Sequence, residues 1–151
     1  MESKDNIVKN WLPRYTGMPL NEFGKHILLT NFKEYMNHFC KITGAEVKDK
    51  TKGMTAASHD GITMINFGMG SPNAATIVDL LTAIDPDAVL FLGKCGGLKR
   101  KNNIGDLILP IAAIRGEGTS NDYLPPEVPA MPAFSLQRAV SSTIRAYDLD
   151  Y

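Results

Sequence analysis

A surplus of charge is the first thing this chain lacks: sixteen Lys and Arg stand against sixteen Asp and Glu, a formal net charge of zero. No one-sided field is available to gather phosphate backbones or anionic lipid, which argues against duplex nucleic acid and membrane surfaces as partners. Cysteine is scarce as well. Cys40 and Cys95 cannot build a disulfide framework, and neither forms a CxxC pair or a cluster with His26, His38 or His59. A structural zinc is therefore not expected, and no other metal or cofactor is called for. No apolar run approaches the roughly 20 residues needed to cross a bilayer, and the opening MESKDNIVKN lacks a charged-then-apolar leader pattern. A cytoplasmic location is the expectation. What is present is an ordinary globular balance, 44% apolar and 21% charged over 151 residues, enough for one hydrophobic core.

The periodicities alternate between strand and helix. SKDNIVKNWLPRYTGMPLNEFG reads as a short helix to about Trp11, broken by Pro13, so that residues 1–24 are expected to be an N-terminal arm. KHILLTN is a short apolar strand, followed by a helix with Phe32, Tyr35, Met36 and Phe39 on one face and an end near Gly44. MTAASHDG and ITMINFG read as two strands joined by an Asp60-Gly61 turn. SPNAATIVDLLTAI supplies a helix, AVLFLG a strand apolar throughout, and DLILPIAAI another strand. An unbroken apolar strand is expected to be buried on both faces, in a sheet covered by helices. After the proline-rich YLPPEVPAMPAF, a last helix from Ser135 aligns Leu136, Val140, Ile144 and Tyr147. The fold class is α/β.

Three stretches have residues suited to chemistry. In NFGMGSPNAATIVDLL, Gly68 and Gly70 close a strand, Ser71 is placed to cap the helix and Pro72 suits its first position. Free N–H groups at such a helix start attract an anion. A dinucleotide fingerprint is excluded because Asn73 stands where the third glycine belongs, and a plain packing turn explains the glycines as well. In FLGKCGGLKRKNN, a Walker loop is excluded by Ala88 and Cys95. The turn of Gly93, Lys94, Cys95 and Gly96 instead follows a strand, where open α/β sheets bind ligands. Lys94 is the residue of interest there, and Cys95 reads as a small buried thiol with no neighbouring histidine to activate it. In IRGEGTSNDYLPP, Glu117, Thr119 and Ser120 gather a carboxylate and hydroxyls suited to a sugar, although a simple turn accounts for them too.

RYTGMP, GMGSPNAATIVDLL, LGKCGGL and GDLILPIAAIRGEGTS, in this order, resemble the AMP nucleosidases of the nucleoside phosphorylase superfamily from about Arg14 to Tyr151. The resemblance implies a three-layer fold with a central mixed sheet flanked by helices, a hexamer built from dimers, and AMP or a related nucleotide as substrate. The implied reaction is hydrolysis of the N-glycosidic bond to adenine and ribose 5-phosphate. It also implies that residues 25–151 are the N-terminal part of a longer catalytic domain. The acid that protonates the purine is then expected beyond residue 151, and the chain alone is expected not to turn over efficiently.

Departures from the phosphorylase branch bear on the nucleophile. Those enzymes typically have G-D-P-x-x-R after the first strand, where LLTNFKEY has Asn31 and Phe32 and no arginine. They usually place Arg two residues before the glycine of the second motif and Ser or Thr after it, where this chain has Phe91 and Lys94. A buried phosphate dianion without such partners is costly, so water is the expected nucleophile. Lys94 is expected to position that water or the ribose hydroxyls, with the 5′-phosphate as its alternative. Arg14 and Lys33 are candidates for the 5′-phosphate because a dianion favours a guanidinium fork or an ammonium. Another nucleoside as substrate, and a catalytically incomplete nucleotide-binding fragment, are the competing expectations.

Overall fold

A computed structural model describes residues 3–151. They divide into two compact units with the boundary between Gly93 and Lys94. In the first unit the elements are α1 (Lys4–Thr16), β1 (His26–Thr30), α2 (Lys33–Thr43), β2 (Thr55–His59), β3 (Ile62–Asn66), α3 (Ser71–Leu81) and β4 (Ala88–Leu92). In the second the one α-helix among the described residues is α4 (Phe134–Ala146), preceded by a 3-10 turn at Thr119–Asp122.

The sheet runs β2-β3-β1-β4, with β1 parallel to both neighbours and β2 antiparallel to β3. It is mixed, as expected. Strand periodicity sorts its side chains between two cores. Ile27, Leu29 and Ile65 pack with Leu12 of α1 and Ile77 and Leu81 of α3, whereas Met64 packs with Met36 and Phe39 of α2. Two helices thus cover one face and one covers the other, the three-layer arrangement. The β2–β3 connection is the expected turn, with Asp60 at φ 46° and Gly61 at φ 77°.

The ends of α1 and β4 differ from expectation. α1 does not stop at Trp11 but continues through Pro13 to Thr16. Pro13 lies near the C-terminal end, and the Gly17 N–H closes the helix onto the Pro13 carbonyl at 2.8 Å with Gly17 at φ 71°. The segment expected as an arm lies in the first unit, where Val8, Leu12 and Met18 are core residues. β4 is not buried on both faces: it is an edge strand, with Phe91 56% and Leu92 41% exposed. In the second unit the expected strand 106–114 does not form. Its only ladder contact among the described residues is an isolated Ala113–Ala130 bridge, and Ile108, Ile111 and Ile114 are exposed. Apolar β-branched residues favour a strand only where a partner strand accepts their N–H and C=O groups.

Thr63 is fully buried on β3, where its hydroxyl accepts the Gly24 N–H at 2.8 Å and pairs with the Ser58 hydroxyl at 3.0 Å. Thr63→Val keeps the shape and removes the acceptor. Leaving the Gly24 donor orphaned is expected to lower unfolding stability by about 1–3 kcal/mol, read from urea denaturation.

Candidate functional site

Parallel pairing aligns the carboxyl ends of three strands. Thr30 of β1 is in register with Asn66 of β3 and Leu92 of β4, so the turns after all three leave the same edge of the sheet. Ligands of open α/β sheets sit at such an edge. The turn after β3 is set by the Asn66 side chain, whose Oδ1 accepts the Gly68 N–H at 3.0 Å. Gly68 at φ 81° and Gly70 at φ 98° then redirect the chain into α3. Gly70, not Ser71, occupies the cap position: Ser71 is the first helical residue and no side chain closes the cap. The expected Ser71 cap is corrected by a one-residue shift, with Pro72 inside the first turn, where a missing N–H costs nothing.

The turn after β1 contributes a residue that motif reading noticed only as a substitution. Asn31 donates from Nδ2 to the Met69 sulfur at 3.6 Å, joining the β1 and β3 turns, while its Oδ1 is buried without a hydrogen-bond partner. A buried amide oxygen of this kind is open to a donor, which water or a ligand hydroxyl or amine can supply. Its position, one residue past the end of a central parallel strand, was the signal available in the sequence. Lys33 follows at the start of α2, exposed. Arg14 is exposed near the end of α1, with its guanidinium 5.6 Å from the Trp11 ring centroid.

At the end of β4, Phe91 tilts against Phe67 with ring centroids 5.9 Å apart. Its ring also lies where a side chain on Gly93 would go: an ideal Cβ there would be 2.6 Å from the Phe91 ring. A side chain on Gly93 would therefore have to displace the exposed Phe91 ring. Lys94, Cys95 and Gly96 follow in the second unit, all exposed. The expectation that Cys95 is a buried thiol is corrected; its turn has no regular structure and no helix or strand of its own to bury it. Cys40 is the half-buried cysteine, and burial pushes its thiol up, which keeps it protonated.

Further along the second unit, Glu117, Thr119 and Ser120 share one short loop. The Ser120 N–H donates to Glu117 Oε1 at 3.1 Å, and the Ser120 hydroxyl oxygen is buried with no hydrogen-bond partner. A cleft of about 340 Å³ in the first unit lies elsewhere, against Cys40, Val47 and Lys50 beyond the C-terminal half of α2. α2 begins directly after β1, so that cleft is at the far end of the helix from the strand-end turns. Among the described residues no group of three or more His, Cys, Asp or Glu is arranged to hold a metal, and no helix is long and apolar enough to cross a membrane.

A sequence model described as Phosphorylase superfamily matches residues 21–150. The chain belongs to that superfamily. Among its relatives, AMP nucleosidase from Escherichia coli K12 is 30% identical over 166 aligned residues, covering 85% of this chain and 34% of that enzyme. The crystal structure of AMP nucleosidase from Bacteroides thetaiotaomicron VPI-5482 is 57% identical with a TM-score of 0.93, covering 99% of this chain and 64% of that one. Purine nucleoside phosphorylase from Toxoplasma gondii shares the fold at 16% identity, with a TM-score of 0.79 over 88% of this chain and 56% of that one. The chain therefore spans about a third of the Escherichia coli relative and just under two thirds of the Bacteroides one. The superfamily match accords with the mixed sheet flanked by helices.

Proposed function

We propose that this chain is the N-terminal part of an N-glycosidase that hydrolyses AMP to adenine and ribose 5-phosphate, with water as the attacking group. The observation that carries the choice of water is Phe91. Where phosphorylases usually place an arginine, an aromatic ring packs on Phe67 and presses on Gly93. Orthophosphate at that strand end would meet an aromatic ring instead of a guanidinium, and going without the bidentate fork that a dianion favours weakens its hold. Water needs no such fork. The 57% identity to an AMP nucleosidase along 99% of the chain supports AMP as the substrate.

In the proposed reaction the bond between the anomeric carbon and the purine nitrogen breaks as positive charge grows on the ribosyl ring. Water then adds at that carbon and loses a proton, while the purine leaves with the bonding electron pair and takes up a proton. Lys94 donates hydrogen bonds to the attacking water or to the ribose hydroxyls. In the first unit Gly70, Ser71 and Gly93 are the backbone candidates for the substrate and Arg14 or Lys33 the candidate for its 5′-phosphate; in the second, Cys95 and Gly96 are the backbone candidates and Glu117, Thr119 and Ser120 those for the sugar. The purine-protonating acid belongs to sequence beyond residue 151. A cytoplasmic homo-oligomer, a hexamer built from dimers, fits this reading, and the exposed Leu98, Ile104 and Ile114 offer apolar surface for self-association.

The test is to incubate the protein with AMP, adenosine and inosine, with and without orthophosphate, and to identify the sugar released. The expected products from AMP are adenine and ribose 5-phosphate in equal amounts, at a rate that phosphate leaves within about twofold. Because the acid is placed beyond residue 151, the readouts are product identity and rates relative to the same protein measured alongside, not absolute speed. A ribose carrying phosphate at its anomeric carbon, formed only when orthophosphate is added, would overturn the choice of water.

A further inference from the structure

We propose that Arg115 is a positioning residue for the sugar, holding the loop that presents the buried Ser120 hydroxyl to a ribose oxygen. This rests on the reading of residues 117–120 as the sugar-binding loop of the glycosidase proposed above.

The loop closes on itself through short backbone bonds: the Ser120 carbonyl accepts the Tyr123 and Leu124 N–H groups at 3.1 and 3.2 Å, and the Pro125 carbonyl accepts the Val128 N–H at 3.1 Å. Between the paired residues Ala113 and Ala130 the only regular structure is the 3-10 turn Thr119–Asp122. Arg115, half-buried, reaches across this span. Its Nε donates to the Val128 carbonyl at 2.6 Å and one terminal nitrogen to the Ser120 carbonyl at 2.7 Å. The other donates to the Leu124 carbonyl at 3.0 Å and to the Pro125 carbonyl. A guanidinium is a rigid planar fork of five N–H donors, so four carbonyls bound to one such group are fixed relative to each other. Lysine cannot reproduce this, because its ammonium is a point charge on a flexible stem.

Ser120 is where the clamp meets the candidate chemistry. Its carbonyl is gripped by Arg115 and its N–H by Glu117, which fixes the residue from both backbone sides. Its hydroxyl is left buried and unpartnered. A buried hydroxyl that finds no protein partner forfeits its hydrogen bonds unless water or a ligand supplies them. A ribose hydroxyl, both donor and acceptor, matches it; an adenine ring nitrogen or a phosphate oxygen satisfies only the donor half.

The experiment measures, by calorimetry, the affinity of the unmodified protein and of Ser120→Ala, Arg115→Ala, Arg115→Lys and the Arg115→Ala/Ser120→Ala double variant. The ligands are AMP, ribose 5-phosphate and adenine. The expected result is a roughly tenfold loss for AMP and ribose 5-phosphate in both alanine variants. Adenine affinity stays unchanged, Arg115→Lys gives no rescue, and the double variant is no worse than Arg115→Ala alone, because the two residues act as one unit. If Arg115 merely supported the fold, adenine and ribose 5-phosphate would weaken together and the two losses would add. That pattern, or a Ser120→Ala protein that binds ribose 5-phosphate like its parent, overturns the inference while leaving the proposed reaction standing. Failure of the parent to bind AMP and ribose 5-phosphate overturns the functional reading and the role of Arg115 with it.

Discussion

Gly24→Ala is expected to lower unfolding stability by about 3 kcal/mol, at the upper end of what inserting a single methyl group costs. The effect comes from backbone meeting backbone. An ideal Cβ on Gly24 would stand 2.0 Å from the carbonyl oxygen of Gly61, 2.2 Å from its carbon and 2.7 Å from the nitrogen of Ile62. None of these atoms can swing aside as a side-chain tip can. The approach is fixed from two directions, by the Gly24 N–H on the Thr63 hydroxyl at 2.8 Å and by the His26 N–H on the Gly61 carbonyl at 3.2 Å. Relief would have to separate β1 from β3 at the start of their ladder, where His26 is paired with Ile62. Gly53→Ala is the control, because nothing lies within 4 Å of its Cβ position and its backbone is not left-handed. It is expected to be neutral or slightly stabilising, since alanine loses less freedom on folding. Urea midpoints that place both variants within about 0.5 kcal/mol of the parent would show that the close approach at Gly24 is not rigid.

Local signals carried most of the first unit. The Asp60-Gly61 turn, the spacing of Met36 and Phe39, and the stop at Gly44 each have a physical cause within a few residues, and each appears where the sequence places it. Features that depend on partners were not legible. AVLFLG shows that a strand is apolar but not whether a further strand lies beside it, and β4 proves to be an edge. DLILPIAAI has strand-forming residues but no ladder to join, so it stays irregular. Pro13 reads as a breaker, yet Leu12 and Thr16 are buried and tertiary packing carries the helix past it. Of the candidate site, the turn after β3 was legible as a turn, because the left-handed backbone of Gly68 and Gly70 is a local need. Arg115 was missed because its partners are carbonyls of residues up to thirteen positions away, which no motif records. The unpartnered Asn31 oxygen was missed because satisfaction of a polar atom is a property of packing alone.

Lys94→Ala is expected to slow single-turnover hydrolysis of AMP about 10²-fold, the usual scale for losing a positioning group, while AMP affinity stays within about twofold. The argument begins from charge. The ribosyl ring becomes cationic as the purine leaves, so an ammonium does not stabilise that ring directly. Lys94 instead offers three N–H donors on a flexible stem, suited to lone pairs of water or of a ribose hydroxyl. A group that orders the nucleophile acts on the rate and contributes little to ground-state binding, so the loss falls on turnover. A group gripping the 5′-phosphate does the reverse, because the dianion is fully charged before reaction begins and its partner is already engaged in the bound substrate. Measuring the dissociation constant and the single-turnover rate on the same Lys94→Ala preparation separates the two roles. A rate close to the parent's, accompanied by a tenfold or greater fall in AMP affinity, would move Lys94 from the attacking water to the phosphate.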